Sequence, residues 1–442
     1  MTTGIDHEQS ASAHPGTTRL SRALAFASEN RDSIRAYLSM IGGSGGRLLI
    51  SMAYFIAVAN TLSIADFGLF ATASACGVML SRLLAFGFVS PLYRIATVKQ
   101  RLLGTYTAGF LAGLVLSLPL VALAGVATFY IIFHGEITLG VFARILIAEI
   151  LCWRIMEIVV IVSYGINRFG AGSVLVVLAT GLKALAAVAF AYSGTEALAA
   201  WSWWYLAANS LAALIAVIFY YPRVRLRWSP RLYLRRWIDA VSVAGAETLF
   251  YVQSELDKVL VLTFGGAEVA GIYAIIMRLV DLTALPVRSF LTLLVQRLMR
   301  APEIIAKLKV RVGLEALVAG VSFAGLVALV AVLWVFPKLL GSNVAEATPL
   351  LVFVLAVPAL RNLLEYHSEL LYATGRTVVR TAILALLGAT KAGLLAILLT
   401  QGLPTQSWVG LINLVFLALY LISATVTYGA LAYKRDIRRR VI

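Results

Sequence analysis

The sequence has 442 residues, of which 61% are hydrophobic and 13% are charged, and its mean hydropathy is +0.91. Soluble globular proteins are roughly 45–50% apolar and about 25% charged, so the composition excludes a water-soluble fold and indicates that lipid solvates most side chains. The formal net charge of +16 would suggest nucleic-acid binding in a soluble protein, but in a membrane protein the position of each charge decides its meaning.

The first 36 residues form a polar segment without the basic-then-apolar layout of a cleavable signal. This segment is predicted to be a disordered cytoplasmic tail. Twelve apolar stretches follow, each long enough to cross a hydrocarbon core of roughly 30 Å. Their approximate limits are 37–62, 66–92, 104–133, 139–164, 172–192, 197–220, 238–264, 268–296, 312–337, 346–373, 377–400 and 406–432. Because backbone groups in lipid must be hydrogen-bonded within their own segment, all twelve are predicted to be helices.

Positive charge is distributed unequally between the two sides of this bundle. Of the 37 basic residues, 26 fall on one side, and Lys338 alone stands in the loops on the other. The opposite loops carry acids instead, namely Asp66, Glu136, Glu196, Glu268 and Glu346. By the positive-inside rule the basic side and both termini are predicted to be cytoplasmic, and the basic loops are then a topology signal rather than a nucleic-acid site.

The two halves of the chain repeat each other. Four residues recur at a constant offset of 208 positions, as the pairs Glu157/Glu365, Tyr164/Tyr372, Arg168/Arg376 and Lys183/Lys391. A Gly-Leu-Phe-Ala stretch from Gly68 is also echoed by Gly-Ile-Tyr-Ala from Gly271. The pattern predicts a duplicated six-helix unit, and an even number of spans gives both halves the same orientation.

These observations predict an all-α integral membrane protein with about twelve transmembrane helices in two six-helix lobes, related by an axis along the membrane normal. The predicted segments are a disordered cytoplasmic tail (1–36), an N-lobe of helices 1–6 (37–220), a basic cytoplasmic linker (221–237), a C-lobe of helices 7–12 (238–433) and a basic cytoplasmic tail (434–442).

Nineteen ionisable side chains lie inside the predicted spans. On insertion scales each costs roughly 2.5–3.5 kcal/mol at the centre of a span, so these groups must pair, reach the membrane interface or line a watery cavity. Spacings of three and four residues predict structural ion pairs within helices for one set, which comprises Arg154, Glu157, Arg361, Glu365 and Glu369.

A second set of polar residues favours a cavity lining. Glu247, Tyr251, Glu255 and Lys258 form a stripe along one face of the seventh span. Arg47 and Arg82 have no acid at helical spacing. Because a guanidinium stays charged, the partner of each is an acid on another helix, a bound anion or, for Arg47, the membrane interface.

The sequence predicts that the protein is not an enzyme. No nucleotide-binding loop, metal-ligand spacing or nucleophile motif is present, so catalytic residues, metal sites and bound cofactors are all predicted to be absent. The two cysteines, Cys76 and Cys152, each lie inside an apolar run and are predicted to be small buried hydrophobic residues.

Two stretches carry a family resemblance, ADFGLFATA at 65–73 and ELDKVLVLTFGGAEVAGIYAIIMRLVDLTALPV at 255–287. With twelve spans in two halves, they resemble the Wzx-type polysaccharide flippases of the multidrug/oligosaccharidyl-lipid/polysaccharide exporter (MOP) superfamily. The resemblance implies a V-shaped pair of lobes around a central cavity lined chiefly by the first, second, seventh and eighth spans. It also implies a flippase of the bacterial cytoplasmic (inner) membrane that moves a polyprenyl-pyrophosphate-linked oligosaccharide for exopolysaccharide, O-antigen (lipopolysaccharide) or capsule biosynthesis.

On the spans that the resemblance assigns to the cavity, the candidate substrate-binding residues are Arg47, Arg82, Lys258, Arg278 and Arg288. The candidates for coupling to a proton or sodium gradient are Glu247, Glu255, Asp257 and Asp281. The expected partners are the lipid-linked oligosaccharide, membrane lipids, and a polysaccharide polymerase with its chain-length regulator. Nucleic acid is not an expected partner. Two alternatives stay open: a drug/cation antiporter of the same fold, and a membrane-embedded glycan polymerase or glycosyltransferase.

Overall fold

The computed structural model describes residues 48–300, 305 and 308–432, and within these the ordered elements are helices and no strand occurs. The helices, in chain order, are α1 (Leu48–Thr61), α2 (Ile64–Ser81), α3 (Val89–Val98), α4 (Leu103–Thr128), α5 (Leu139–Ile147), α6 (Arg154–Gly165), α7 (Phe169–Tyr192), α8 (Leu198–Ile215), α9 (Pro230–Arg300), α10 (Leu308–Val335), α11 (Ser342–Ala347), α12 (Val357–Ala373), α13 (Thr377–Thr400) and α14 (Thr405–Ala432). Short π-helical turns extend α4 and α8 to Phe133 and Tyr220 and join α5 to α6.

Each of the twelve predicted spans coincides with helical structure over its described residues, and the predicted all-helical membrane fold is confirmed. Within the described residues, eight helical stretches are long and apolar enough to cross a bilayer, and a bent pair makes a ninth. One of the eight is the 45-residue stretch Ala240–Ala284, which would measure about 68 Å at 1.5 Å per residue and is too long for one crossing.

This long stretch is a hairpin with two arms, 230–265 and 267–300. Gly266 has φ 80° and ψ 177°, a backbone conformation that residues with a Cβ disfavour. The Tyr273 hydroxyl donates to Asp257 Oδ2 at 2.8 Å, although sixteen residues of straight helix would separate the two by about 24 Å. The arms therefore run antiparallel and account for the seventh and eighth spans.

The second span differs from the single helix predicted over 66–92, because it breaks between α2 and α3. Ala85 and Phe86 have φ values of 54° and 48°, and Gly87 follows at 75°. The Ala85 N–H that the helix loses donates to the Ser117 hydroxyl at 2.9 Å, which satisfies a donor that would otherwise be unpaired in an apolar environment.

The tenth span is also bent, by 69° between 342–354 and α12. Pro358 lies at the start of α12, where its missing N–H leaves no hydrogen bond unmade. Pro286, in the eighth span, lies within the continuous second arm of α9.

The predicted duplication is visible in the backbone. Helices α7 and α13 both have 24 residues and start 208 positions apart, as do the ends of α6 and α12. The loops between them match as well, with Asn167 at φ 62° and Gly375 at φ 73°. The residue after each turn, Arg168 or Arg376, donates its N–H at 2.8 Å to the carbonyl five positions earlier.

The end of the bundle opposite the basic loops, called the outer end below, is closed by close packing of the two halves. A Cβ added to Gly68 on α2 would lie 2.3 Å from the Ala267 carbonyl oxygen, and one on Gly271 would lie 1.9 Å from the Ile64 carbonyl oxygen. The repeated glycines thus meet each other where α2 crosses the second arm of α9, and their missing side chains permit the contact.

A second set of contacts closes the same end. The Asn343 amide donates to the carbonyl oxygens of Ala59 and Leu62 at 2.9 and 2.8 Å, and its backbone N–H donates to Asn60 Oδ1 at 3.1 Å. The Asn60 amide in turn donates to the Leu340 carbonyl at 2.8 Å. The end of α1 is therefore joined to the loop before α11.

Candidate functional site

A cavity of 290 Å³, called the central cavity below, lies between helices of both halves. It is reached by α1, α2, α7, α8, the α5–α6 turn and both arms of α9, which include the four spans that the family resemblance predicts. Its polar and charged lining residues are Ser51, Tyr54, Ser74, Glu149, Thr180, Lys183, Tyr205, Lys258, Arg278 and Asp281. Phe55, Phe67, Phe70 and Trp153 complete its aromatic walls.

Arg278 contributes a cation to this cavity, and its partner is a hydroxyl rather than an acid. Its guanidinium donates to the Ser51 hydroxyl of α1, and among the described residues it forms no ion pair with a carboxylate. The nearby acid, Asp281, instead forms ion pairs with Arg361 at 3.1 Å and with Arg288 at 3.8 Å. Since a guanidinium remains charged at membrane depth, Arg278 presents a positive charge to the cavity.

Lys183 was not a predicted site residue, although the 208-residue repeat singled it out. Its ammonium lies 3.5 Å from the centre of the Trp153 ring and 5.9 Å from that of Tyr54. Aromatic faces attract cations. The cavity is lined by three cations, Lys183, Lys258 and Arg278, and by two acids, Glu149 and Asp281. Lys258 is paired with Glu255.

Glu149 was also not predicted as a site residue. The hydroxyls of Ser74 and Tyr205 each lie 2.5 Å from Glu149 Oε1, and the residue is 4% exposed. These partners lie on α2 and α8, so no spacing along the chain reveals them. Hydroxyl donors stabilise a carboxylate without cancelling its charge. Glu149 and Arg278 therefore both bring charged groups to the lining of this cavity.

A second cavity of 640 Å³, called the inter-lobe cleft, lies nearer the basic end and reaches it at Tyr372 and Thr377. It contains a chain of ion pairs from one half to the other. Arg82 pairs with Glu157 at 3.1 Å, Glu157 with Arg154 at 2.7 Å, and Arg154 with Glu247 at 3.1 Å. Arg82 also covers the Tyr251 ring at 3.8 Å.

This chain of charges bears on several predicted residues. Arg82 has an acid on another helix, which was one of the partners left open for it, and Arg154 and Glu157 form the local pair that their spacing predicts. Arg82 and Arg154 are 5% and 2% exposed, and the Nε of each has no hydrogen-bond partner among the described residues. Both guanidiniums thus retain one unmet donor at the wall of the cleft.

The predicted pairs within the tenth span form differently. Arg361 pairs across to Asp281 at 3.1 Å rather than along its own helix, Glu365 accepts from Arg288 at 3.1 Å, and Glu369 accepts from Arg380 at 3.1 Å. The Arg288–Glu365 pair, like the Arg82–Glu157 pair, joins the repeated glutamate to an arginine on another helix of its own half. Spacing identifies which residues need a partner, but helix crossing selects the partner.

The remaining ion-coupling candidates are paired inside the second half. Asp257 lies 2.8 Å from the Lys391 ammonium, and both side chains are 3% exposed. Glu255 pairs with Lys258 at 2.5 Å. Arg47 lies outside the described residues. Within those residues no three acids, histidines or cysteines are grouped as a metal site would require.

The predicted stripe on the first arm of α9 is divided between the two cavities. Glu247 and Tyr251 line the inter-lobe cleft, whereas Lys258 lines the central cavity. Arg278 and Asp281 on the second arm join Lys258, and Arg82 joins Glu247. Arg288 lines neither cavity and lies in the Asp281–Glu365 ion-pair network.

The chain matches no protein-family profile and no curated protein sequence. Its fold is similar to the inward-facing conformation of a multidrug resistance MATE family transporter of the MOP superfamily, with TM-score 0.57 and 14% identity over 88% of this chain and 96% of that one. The outward-facing conformation of such a transporter gives 0.53 and 14% over 91% and 96%.

A further similar structure is a MOP superfamily transporter from Pyrococcus furiosus, with TM-score 0.55 and 16% identity over 90% of this chain and 95% of that one. At these identities the likeness concerns the fold. The chain has the two-lobed, all-helical fold of MOP superfamily transporters, and it is a multi-pass membrane protein.

Proposed function

We propose that the protein is an alternating-access transporter that flips a pyrophosphate-linked oligosaccharide lipid from the cytoplasmic to the outer leaflet of a bacterial cytoplasmic membrane. The observation that carries the proposal is Arg278, a cation of the central cavity whose hydrogen-bond acceptor is a hydroxyl rather than a carboxylate. An arginine can grip a phosphate bidentately. The cavity's hydroxyl and charged side chains suit the sugars, and the three cations on its lining outnumber the two acids.

Two further features support movement by alternating access. The outer end is closed by glycine packing and asparagine hydrogen bonds, whereas the inter-lobe cleft reaches the basic end. The related fold is known in inward-facing and outward-facing conformations. The Pyrococcus furiosus transporter has a binding pocket of reverse polarity that suggests a different function. Pocket charge therefore varies among proteins of this fold, and a cationic cavity in this chain is consistent with that variation.

A drug/cation antiporter is the second candidate, and Glu149 is the observation that favours it. A buried carboxylate beside Tyr54, Phe70 and Trp153 is the combination that attracts an organic cation. The same fold in multidrug transporters fits this function as well.

Two single substitutions in the central cavity distinguish the candidates. In proteoliposomes containing a fluorescent pyrophosphate-linked oligosaccharide, Arg278→Gln should reduce flipping at least about 100-fold, which corresponds to about 3 kcal/mol of lost charge-assisted binding. Arg101→Gln is the control, because it removes one positive charge from an exposed site outside both cavities. Unchanged flipping in Arg278→Gln would contradict the site. Loss of ethidium transport in Glu149→Gln would favour the antiporter.

Coupling of the transport to a proton or sodium gradient is proposed through Glu255, Asp257 or Asp281. All three carboxylates lie on α9, whose arms join the two cavities. Flipping should fall when both gradients are collapsed with ionophores. Undiminished flipping under those conditions would exclude coupling.

A further inference from the structure

The basic segment 221–237 is packed against the first half of the molecule. The Tyr233 hydroxyl accepts from the Ser229 N–H at 3.0 Å and lies 2.9 Å from the Thr105 carbonyl oxygen. Gly104 contacts the Arg225 backbone so closely that a Cβ would lie 2.1 Å from its carbonyl oxygen. The Tyr221 hydroxyl is 2.6 Å from that of Thr107. The backbone of the segment is therefore held against the first half of the molecule.

This packing builds a basic cleft of 450 Å³ between α3, the start of α4 and the first arm of α9. Four of its lining residues are cations and none is an acid. The cations are Arg94, Lys99, Arg235 and Arg236, and Val98 is among the apolar lining residues. An ordinary solvated loop spreads its charges, whereas this cleft directs them towards one volume.

The surroundings of the basic cleft fit the boundary between lipid and water. Val98 and Ile238 are 68% and 78% exposed, and Trp228 is 67% exposed. Exposed tryptophan and aliphatic side chains beside arginines are typical of the headgroup level of a bilayer. Basic pockets between helices at this level bind the phosphate headgroups of anionic lipids.

The basic cleft and the inter-lobe cleft lie along the same face of one helix. Residues seven apart lie on the same helix face, and from Arg235 and Arg236 of the basic cleft this spacing leads to Ser242 and Val243. Both Ser242 and Val243 line the inter-lobe cleft, in which Arg82 stands. One face of the first arm of α9 therefore connects the two sites.

We propose that the basic cleft is the capture site for the pyrophosphate headgroup of the lipid-linked substrate at the cytoplasmic leaflet, before that headgroup passes along α9 to Arg82. The inference rests on the proposed function. Arg94 and Arg235 offer planar forks to the phosphate oxygens, Lys99 offers a compact charge, and the apolar wall accommodates the first carbons of the lipid chain.

The test compares two variants that each remove three positive charges from the basic side of the full-length protein. One is Arg94→Gln/Lys99→Gln/Arg235→Gln in the cleft. Its control is Arg101→Gln/Arg168→Gln/Arg231→Gln, at exposed positions that do not line the cleft. Equilibrium binding of radiolabelled polyprenyl pyrophosphate is measured in phosphatidylcholine nanodiscs. The cleft variant should bind at least about tenfold more weakly than wild type, and the control within about twofold.

Three results would overturn the inference: binding by the cleft variant that equals wild type, an equal loss in the control, or competition by phosphatidylglycerol as effective as that by polyprenyl pyrophosphate. The last would identify a site for bulk phospholipid. Flipping assays on the same proteins separate the two proposals. Cleft-dependent binding without flipping by wild type would reject the proposed function alone, and flipping that the cleft variant retains in full would reject the capture site alone.

Discussion

Buried ionic groups in this protein are partnered mainly between helices. Spacing along the chain correctly predicts Arg154 with Glu157, because three residues on one helix are neighbours. It fails for Arg361, whose partner Asp281 comes from another helix. For Glu149 it predicts no partner, and Tyr205 also comes from another helix. The sequence shows that a charge inside a span needs a partner, but only helix packing determines which one.

The pair formed by Asp257 and Lys391 allows the stability cost of an unpartnered buried charge to be measured. Both side chains are 3% exposed at a separation of 2.8 Å, and removal of one partner leaves an uncompensated charge. Asp257→Asn should therefore lower the free energy of unfolding by about 3–5 kcal/mol. The double variant Asp257→Asn/Lys391→Met should regain most of that loss, because no buried charge remains.

Denaturant titration of the purified protein in detergent measures both variants. The amide introduced by Asp257→Asn would keep the acceptor for the Tyr273 hydroxyl, which bonds to Asp257 at 2.8 Å, and would lose the acceptor for the Lys258 N–H at 3.0 Å along with the charge. A single variant as stable as wild type, or a double variant no more stable than the single, would contradict a charge-paired core.

At the scale of elements, hydrophobic length predicts the spans well because hydrocarbon thickness fixes helix length. It does not predict breaks within a span. The change of direction at Ala85 and Phe86 has no glycine or proline at those two positions, and it depends on the Ser117 hydroxyl from α4. The bend near Pro358 could be predicted, because proline cannot continue the hydrogen bonds of a preceding helix.

The turn between α12 and α13 repeats the turn between α6 and α7. This equivalence predicts how substitutions in the second turn affect stability. Gly375 has φ 73°, and nothing lies within 4 Å of a Cβ added there, so only backbone conformation opposes a side chain. Gly375→Ala should cost about 1–2 kcal/mol. Gly375→Asn should cost less, because asparagine occupies the equivalent position, Asn167, at φ 62°.

Thermal unfolding of the two variants in the same detergent compares them directly. A midpoint for Gly375→Asn that equals or falls below that of Gly375→Ala would contradict the equivalence of the two turns. The result would then reflect a property of the second turn alone rather than of the duplicated unit.

At the scale of the whole molecule, the repeat at Gly68 and Gly271 could be recognised in the sequence, but the contact between the two glycines could not. Their meeting depends on how the halves face each other. In this structure that contact and the Asn60–Asn343 contacts close the outer end, while the inter-lobe cleft remains at the basic end.

Enlarging Gly68 should therefore open the outer end. Gly68→Ala places a methyl 2.3 Å from the Ala267 carbonyl oxygen, whereas Gly181→Ala, the control, has nothing within 4 Å. In a background with Cys76 and Cys152 replaced by alanine, a cysteine at Ser51 reports access to the central cavity. Gly68→Ala should raise its labelling by an impermeant maleimide from outside by roughly fivefold, the effect of about 1 kcal/mol on the closed state.

Labelling in Gly68→Ala that matches the Gly181→Ala control would contradict a closing role for the glycine contact. Equal labelling from the cytoplasmic side in both variants confirms that the cysteine itself reacts normally. The comparison thus tests the outer closure without requiring knowledge of the substrate.

If the cationic cavity moves a pyrophosphate-linked oligosaccharide lipid rather than an organic cation, the two cargoes should behave differently in one experiment. Wild-type protein in proteoliposomes is followed in parallel with a fluorescent pyrophosphate-linked oligosaccharide and with ethidium. We expect protein-dependent flipping of the oligosaccharide lipid, lost in Arg278→Gln and kept in Arg101→Gln, with no transport of ethidium. Ethidium transport without any flipping of the oligosaccharide lipid would contradict this expectation.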